Sequence, residues 1–418
     1  MNFKIHLNHK VAIALLLVGS NSLEAAETNK VDFAKQILPI LSNKCFACHG
    51  PDSKKPSELR LDSYDAATAD RDGTKAIDPK DLSESEILFR IHDEEDPMPP
   101  IDADKQLTDS EKSLLSSWIS SGGQYAKHWA FVLPMKEKGK TDIDQFVGEK
   151  LKGQEIDFSS EAPRSVLARR AALVLTGLPP EPQQLSQFLN DKKPEAYERY
   201  VDSLLSSSRY GEHQARYWLD AVRYGDTHGL HLDNKRGIFP YRDWVIKAFN
   251  NNLPFDKFIT WQLAGDLLPE PTLEQRVATG FVRMNPTTAE GGAIPKEFQA
   301  KNSFDRTENF GTVMLGSTMT CARCHTHKYD PVEHVEYYQL LAFFNSTSEG
   351  SMDGNRYEYA PVLKAPSNGT DWAKWASLEK ETDNVIQSSI KLVSAKSLPG
   401  INDLEELSLI HISEPTRQ

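Results

Sequence analysis

The strongest constraint on this chain is a five-residue pattern, Cys45-Phe46-Ala47-Cys48-His49, which recurs as Cys321-Ala322-Arg323-Cys324-His325 and uses all 4 cysteines of the 418 residues. Two thiols spaced this way on an opening helical turn can bond to the two vinyl groups of one haem, while the adjacent histidine ligates the iron. The pattern reads as c-type haem attachment. With 12 histidines in 418 residues, chance would place one after a given Cys-x-x-Cys about 3 % of the time, and after both roughly one time in a thousand.

The N-terminus supplies the compartment. Lys4 and Lys10 precede the apolar run 11–18, and small residues follow at Ser20, Ser22, Ala25 and Ala26, the pattern of a secretory signal peptide over residues 1–26. A periplasmic or secreted protein is expected. No later apolar stretch approaches the roughly 20 residues that a spanning helix needs. Outside the cytoplasm a Cys-x-x-Cys is expected to be disulfide-bonded, metal-bound or thioether-linked to haem, and only the last accounts for both trailing histidines. A net charge of −12, without a basic block, argues against nucleic acid or an anionic membrane surface as partner and suits a basic partner or solubility.

Over 31–41, Phe33, Ile37, Ile40 and Leu41 fall at helical spacing, predicting an amphipathic helix that leads into Cys45, kinked at Pro39. Leu59-Arg60-Leu61-Asp62 is expected in irregular structure wrapping the haem edge. Ser83 with Glu86 predicts a capping box for a helix facing inward through Ile87, Leu88 and Ile91. Thr108 with Glu111 predicts a second, for a helix carrying Leu114, Leu115, Trp118 and Ile119 and stopped by Gly122-Gly123. Between them stands Met98-Pro99-Pro100. A haem iron held by His49 needs a ligand on its other face, and Met98, conformationally restricted between prolines, is the expected one. Thioether ligation would close the iron and raise its potential, which suits electron transfer. His92 is expected to be solvated, and Trp129 and Phe131 to be packing anchors.

Residues 31–134 resemble the planctomycete-type cytochrome c domain through Cys45-Phe46-Ala47-Cys48-His49-Gly50, Leu59-Arg60-Leu61-Asp62, Met98-Pro99-Pro100, Trp118-Ile119 and His128-Trp129-Ala130-Phe131. One departure is Ser57-Glu58, where that family usually places glycines. The resemblance implies a small, class-I-like cytochrome c helical domain.

A polar linker, 135–141, leads into 142–350, where helical stretches separated by proline and glycine predict a larger all-α domain, so that the fold as a whole is expected to be mostly α. Expected helices include 164–175, stopped at Gly177, and 196–205, with Tyr200, Val201, Leu204 and Leu205 on one face. Further helices are expected at 244–249, 258–263, 277–282, 302–320 with Phe310, Val313 and Met314 inward, and 333–344. At the second motif three readings stay open. One is a second haem with His325 as the proximal ligand. Another is zinc on Cys321, Cys324 and two of His325, His327 and His334, a donor set that suits tetrahedral zinc. The third is a disulfide. The distal candidates for a second haem are His213, His228, His231, His334, Met314 and Met319. His327 lies too close along the chain to His325 to reach the opposite face.

Residues 142–350 resemble the large uncharacterised domain that follows this cytochrome in secreted planctomycete and verrucomicrobial proteins. The matching pieces are Thr176-Gly177-Leu178-Pro179-Pro180, Arg209-Tyr210-Gly211-Glu212, Tyr217-Trp218-Leu219-Asp220, Pro240-Tyr241-Arg242-Asp243-Trp244-Val245, Gln262-Leu263-Ala264-Gly265-Asp266-Leu267-Leu268-Pro269 and Cys321-Ala322-Arg323-Cys324-His325. His228 stands where that family usually has Asn. The expected function is an exported c-type cytochrome that binds haem covalently and exchanges electrons with a soluble redox carrier or redox enzyme. Two alternatives remain. One is a haem- or metal-dependent enzyme acting on carbohydrate derivatives, using Asp226, His228, His231 or Asp233 near an open distal site. The other is a binding scaffold stapled by zinc or a disulfide.

Residues 351–406 read as the start of a further, truncated segment with helix at 378–392. Residues 407–418 resemble the translation of a transposase adapter used in sequencing libraries, so His411 is set aside as a ligand. Amplification from genomic DNA across the codon for residue 406 is expected to read on in frame into different sequence. A native stop codon after Gln418 would refute this.

Overall fold

The structure, a computed structural model, describes residues 31–395 apart from 53–58, 128, 137, 138, 140, 141 and 231. The expected signal peptide, the Ser57-Glu58 departure, His231 and the segment from 396 lie outside the described residues. The chain divides into two compact units. The first runs to Asp142 and includes His325–Pro331; the second comprises Ile143–Cys324 and everything from Val332. Among the described residues there is no strand, only isolated bridges, and the fold is mostly α as expected.

The first unit begins with a π-helical turn, Phe33–Ile37, that runs into α1, Leu38–Lys44. Pro39 accounts for the change of pitch. It has no N–H to give to a carbonyl one turn back, and the ladder before it widens so that the Leu38 N–H reaches the Phe33 carbonyl. The single turn α2, Phe46–His49, carries the first motif. Then follow α3, Tyr64–Thr68, α4, Glu86–His92, and α5, Asp109–Ser120. Phe33, Ile37, Ile40 and Leu41 are buried as predicted, and they meet Ile87, Ile91, Leu115, Trp118, Ile119, Leu61 and Ile77 in one core. Phe131, expected to pack, is exposed.

The capping box at α5 forms. The Thr108 hydroxyl accepts the Glu111 N–H at 3.2 Å, and the Glu111 carboxylate accepts the Thr108 N–H at 2.8 Å. Gly122 and Gly123 then leave the helix at positive φ, 117° and 56°, with the Gly123 N–H returning to the Trp118 carbonyl at 3.0 Å. At α4 the expected box does not form. Asp81 accepts the Ser83 N–H at 3.1 Å and sets a 3-10 turn, Leu82–Glu84, so that Ser85 precedes α4. The buried Ser85 hydroxyl is itself taken by the Asp78 N–H at 3.0 Å. A carboxylate two residues upstream takes the Ser83 N–H that a capping box would give to Glu86.

The second unit contains α6, Ile143–Lys152, α7, Arg164–Thr176, α8, Pro182–Asn190, α9, Ala196–Leu205, α10, Ser208–Ala221, α11, Phe239–Asn250, α12, Phe255–Ala264, α13, Leu273–Ala278, α14, Pro295–Met314, α15, His334–Asn345, and α16, Gly369–Ala395. Tyr241, Trp244, Val245, Phe258 and Phe281 form its main core. Gly177, at φ 71°, ends α7 as predicted. On α9, Tyr200 and Leu204 are buried one turn apart and Val201 is partly covered, but Leu205 lies past the stripe and is exposed. On α14, Val313 and Met314 pack as expected. Phe304 packs against Tyr337 and Phe310 meets Phe344, but Asn302, Ser303, Arg306, Thr307 and Asn309 of the same helix are also buried.

Replacing Thr108 by Ala should cost about 1 kcal/mol in urea unfolding. Ser83→Ala should stay within about 0.5 kcal/mol, because its side chain caps no helix.

Candidate cofactor site

Cys45 closes α1 and opens α2, so the geometry of the first motif is inherited from a helix packed on the core. The Cys45 side chain is part of that packing, Cys48 is exposed and both thiols are free. Burial, then Cys48, then Glu111 push the Cys45 thiol up to about 12. The His49 Nδ1 lies 2.8 Å from the Leu59 carbonyl oxygen. A carbonyl only accepts, so Nδ1 carries the proton and, in the neutral ring, Nε2 presents its lone pair outward. The Leu61 N–H donates to the His49 carbonyl at 2.8 Å, and Leu61 is buried in the core. The Leu59-Arg60-Leu61-Asp62 segment is thus the brace of His49. Arg60 and Asp62 pair beside it, and the Tyr125 hydroxyl donates to the Leu61 carbonyl at 2.9 Å.

Met98 is half-buried at the end of a braced loop. Its N–H donates to the Arg90 carbonyl at 2.8 Å, Arg90 pairs with Asp96 at 2.5 Å, and Asp93 accepts the Glu95 and Asp96 amides. On the far side Gln106 ties Pro100 and Ala103 together, and its carbonyl accepts Lys44 Nζ at 2.6 Å. Phe89 and Ile101, on either side of Met98 in sequence, leave apolar surface exposed. His92 is exposed, with Nε2 3.3 Å from the Ser116 hydroxyl, as expected of a solvated residue.

Residues 45–102 match the family model described as Planctomycete cytochrome C, and residues 142–349 match the model described as a protein of unknown function, DUF1549. Both matches fall within the regions that resemble these families in sequence, and in the expected order. No curated protein and no solved structure matches it.

In the DUF1549 region the second motif lies on a 3-10 turn, Thr320–Arg323. Ala322 is buried against Met319 and Tyr337, Arg323 pairs with Glu308 of α14, and the Tyr338 hydroxyl donates to the Arg323 carbonyl at 2.9 Å. Cys321 and Cys324 are free and exposed. His325 is exposed, and its Nδ1–H donates to the carbonyl of its neighbour Thr326 at 2.7 Å, again leaving Nε2 outward.

The zinc set considered for this motif is not assembled. His327 Nδ1 accepts the Asp330 N–H at 2.8 Å and the Tyr329 N–H at 3.3 Å, which makes it the brace of its own turn. Among the described residues no group of three or more His, Cys, Asp and Glu side chains converges as a metal site.

The distal candidates are mostly engaged elsewhere. His228 is buried, with Nε2 donating to the Arg356 carbonyl at 2.8 Å and Nδ1 facing the Thr287 hydroxyl at 3.0 Å and Asp353 at 3.3 Å, so neither nitrogen is open. Met319 fills the cluster under Ala322, Met314 belongs to the main core, and His334 and His213 lie against Tyr338 and Tyr217. Asp226 accepts the Tyr224 hydroxyl at 2.6 Å. Asp233 accepts the Gly229 N–H at 2.8 Å, and its carboxyl is lowered by hydrogen bonds from Thr227 and that amide. These carboxylates hold the loop together.

A polar network escaped the sequence reading. Arg306, 6 % exposed, donates to Asn285 at 2.9 and 3.0 Å and to Thr347 at 3.2 Å, and pairs with Glu349, which also meets Arg283 at 3.1 Å. Burial lowers the Arg306 guanidinium to about 10. The only sequence signal was the polar spacing along α14.

In protein made without c-type maturation, Cys48 should alkylate with iodoacetamide well before Cys45, because Cys48 is exposed while Cys45 is partly packed in the core and burial raises its thiol. Peptide mapping of partly alkylated protein would reveal this order, and equal labelling would contradict the packing of Cys45.

Proposed function

We propose that the first unit is an exported c-type cytochrome, in which Cys45 and Cys48 would hold haem covalently and His49 and Met98 would ligate its iron. It exchanges electrons with a soluble redox carrier or redox enzyme. The observation that carries this reading is the hydrogen bond from His49 Nδ1 to the Leu59 carbonyl, which selects the ligating tautomer in a residue already placed beside two free thiols. Haem in this setting supplies a one-electron couple whose potential is raised by a thioether ligand. The chain's own part is to hold His49 by its brace, to keep Met98 on a loop tied at both ends, and to pack α1 behind Cys45. Export is supported by the sequence of residues 1–26. Among the described residues no helix is long and apolar enough to cross a membrane. Cys321, Cys324 and His325 repeat the donor set with the same histidine tautomer, which supports a second attachment site.

A pyridine-haemochrome count on protein matured in a host with the c-type pathway should give two haems per chain. Met98→Ala should lower the midpoint potential of one haem and open its iron to added ligands. An unchanged spectrum and potential would remove Met98 from the ligand set, and a chain without covalent haem would overturn the whole reading.

A further inference from the structure

The loop that begins with the last residue of the second motif, His325–Pro331, belongs to the first unit, and so do Asp52 and Asn43, which grip it. Asp52, three positions beyond His49 in sequence, takes the Thr326 N–H on Oδ2 and the Thr326 hydroxyl on Oδ1, both at 2.8 Å. Thr326 in turn offers the carbonyl that receives His325 Nδ1–H at 2.7 Å. Two further points close the loop: Lys328 Nζ reaches Asn43 Oδ1 at 3.1 Å, and His327 accepts the Asp330 amide at 2.8 Å. The His325 hydrogen bond is local, so its ring is oriented only as firmly as Thr326 is held. A carboxylate that receives both a backbone and a side-chain donor from one residue fixes that residue's position and rotation together.

We infer that Asp52 is a positioning residue for His325: by clamping Thr326 it sets the orientation in which His325 ligates the second haem. This rests on the proposed reading of Cys321-Ala322-Arg323-Cys324-His325 as haem attachment. Asp52 touches neither the ring nor the cofactor, and its effect passes through the Thr326 backbone. Asn at position 52 would set an amide N–H₂ against one of the two Thr326 donors and break the bidentate grip, whereas Glu keeps the charge and both acceptors.

The test uses the matured full chain. Redox titration and low-temperature EPR of the wild type should resolve two low-spin haems, the second identified as the one lost in a Cys321→Ser, Cys324→Ser variant. Asp52→Asn should broaden or split the low-spin EPR signal of the second haem and shift its midpoint potential while leaving the first in place, and Asp52→Glu should restore the wild-type signal. If Asp52→Asn fails to mature, Thr326→Val removes only the hydroxyl donor and should give a smaller change in the same haem. Two haems in the wild type with both signals unmoved by Asp52→Asn or Thr326→Val would overturn the inference and leave the attachment reading intact. A change confined to the first haem, or equal in both, would also overturn it. One haem per matured chain would overturn the second attachment site and the inference together.

Discussion

The chemistry available to the first motif depends on one hydrogen bond, from His49 Nδ1 to the Leu59 carbonyl. A short helical turn can present two thiols and an imidazole at adjacent positions, but it leaves the ring free to rotate. The Leu59 carbonyl removes that freedom, and the Leu61 N–H to His49 carbonyl bond pins the backbone at the same place. Leu61 is 3 % exposed, so His49 cannot swing away with its brace unless a leucine leaves the core, at a cost of about 1.5–3 kcal/mol. The orientation of a polar ring is in this way guaranteed by apolar packing.

The second unit uses polar groups differently. Arg236 is buried and donates to the carbonyls of Gly225, Arg283 and Asn285, tying the 225–236 loop to the segment that ends the main core. Arg306, Asn285, Glu349 and Arg283 continue the same network. Pairs of this kind rarely add stability over apolar packing, yet removing one partner leaves a buried charge uncompensated. Their effect is to allow few alternative ways of seating α14, whose inward polar residues would otherwise be a fault in the core.

What was legible in the sequence was whatever local chemistry decides. The face of α1, the Thr108 capping box and the Gly177 stop depend on residues within one or two turns of each other, and each is where the pattern put it. The Ser83 box was misread because two acceptors compete for the same amides, and Asp81 takes the Ser83 N–H that decides the turn. The His228 environment was out of reach for another reason. Its partners Thr287, Asp353 and Arg356 are distant in sequence, and nothing in Asp226-Thr227-His228 announces that both ring nitrogens will be buried and used. The brace function of Leu59-Arg60-Leu61-Asp62 was half legible: the segment stood out, but its direction, carbonyl toward His49, did not.

The two motif histidines share a tautomer but obtain it by different means. For His49 the accepting carbonyl lies ten positions away and is anchored in a core; for His325 it belongs to the next residue. A carbonyl one residue away selects the protonated nitrogen without fixing the ring in space, because both move together. Rigidity must then come from whatever holds that neighbour. The turn after His49 is built to provide a fixed point. A Cβ on Gly50 would lie 2.4 Å from the Phe46 carbonyl oxygen, so only glycine lets the chain leave α2 this tightly. Pro51 then restricts the next φ. His49 and Asp52 are therefore separated by a segment with little freedom, and the direction of the Asp52 carboxylate follows from the same packing that aims His49.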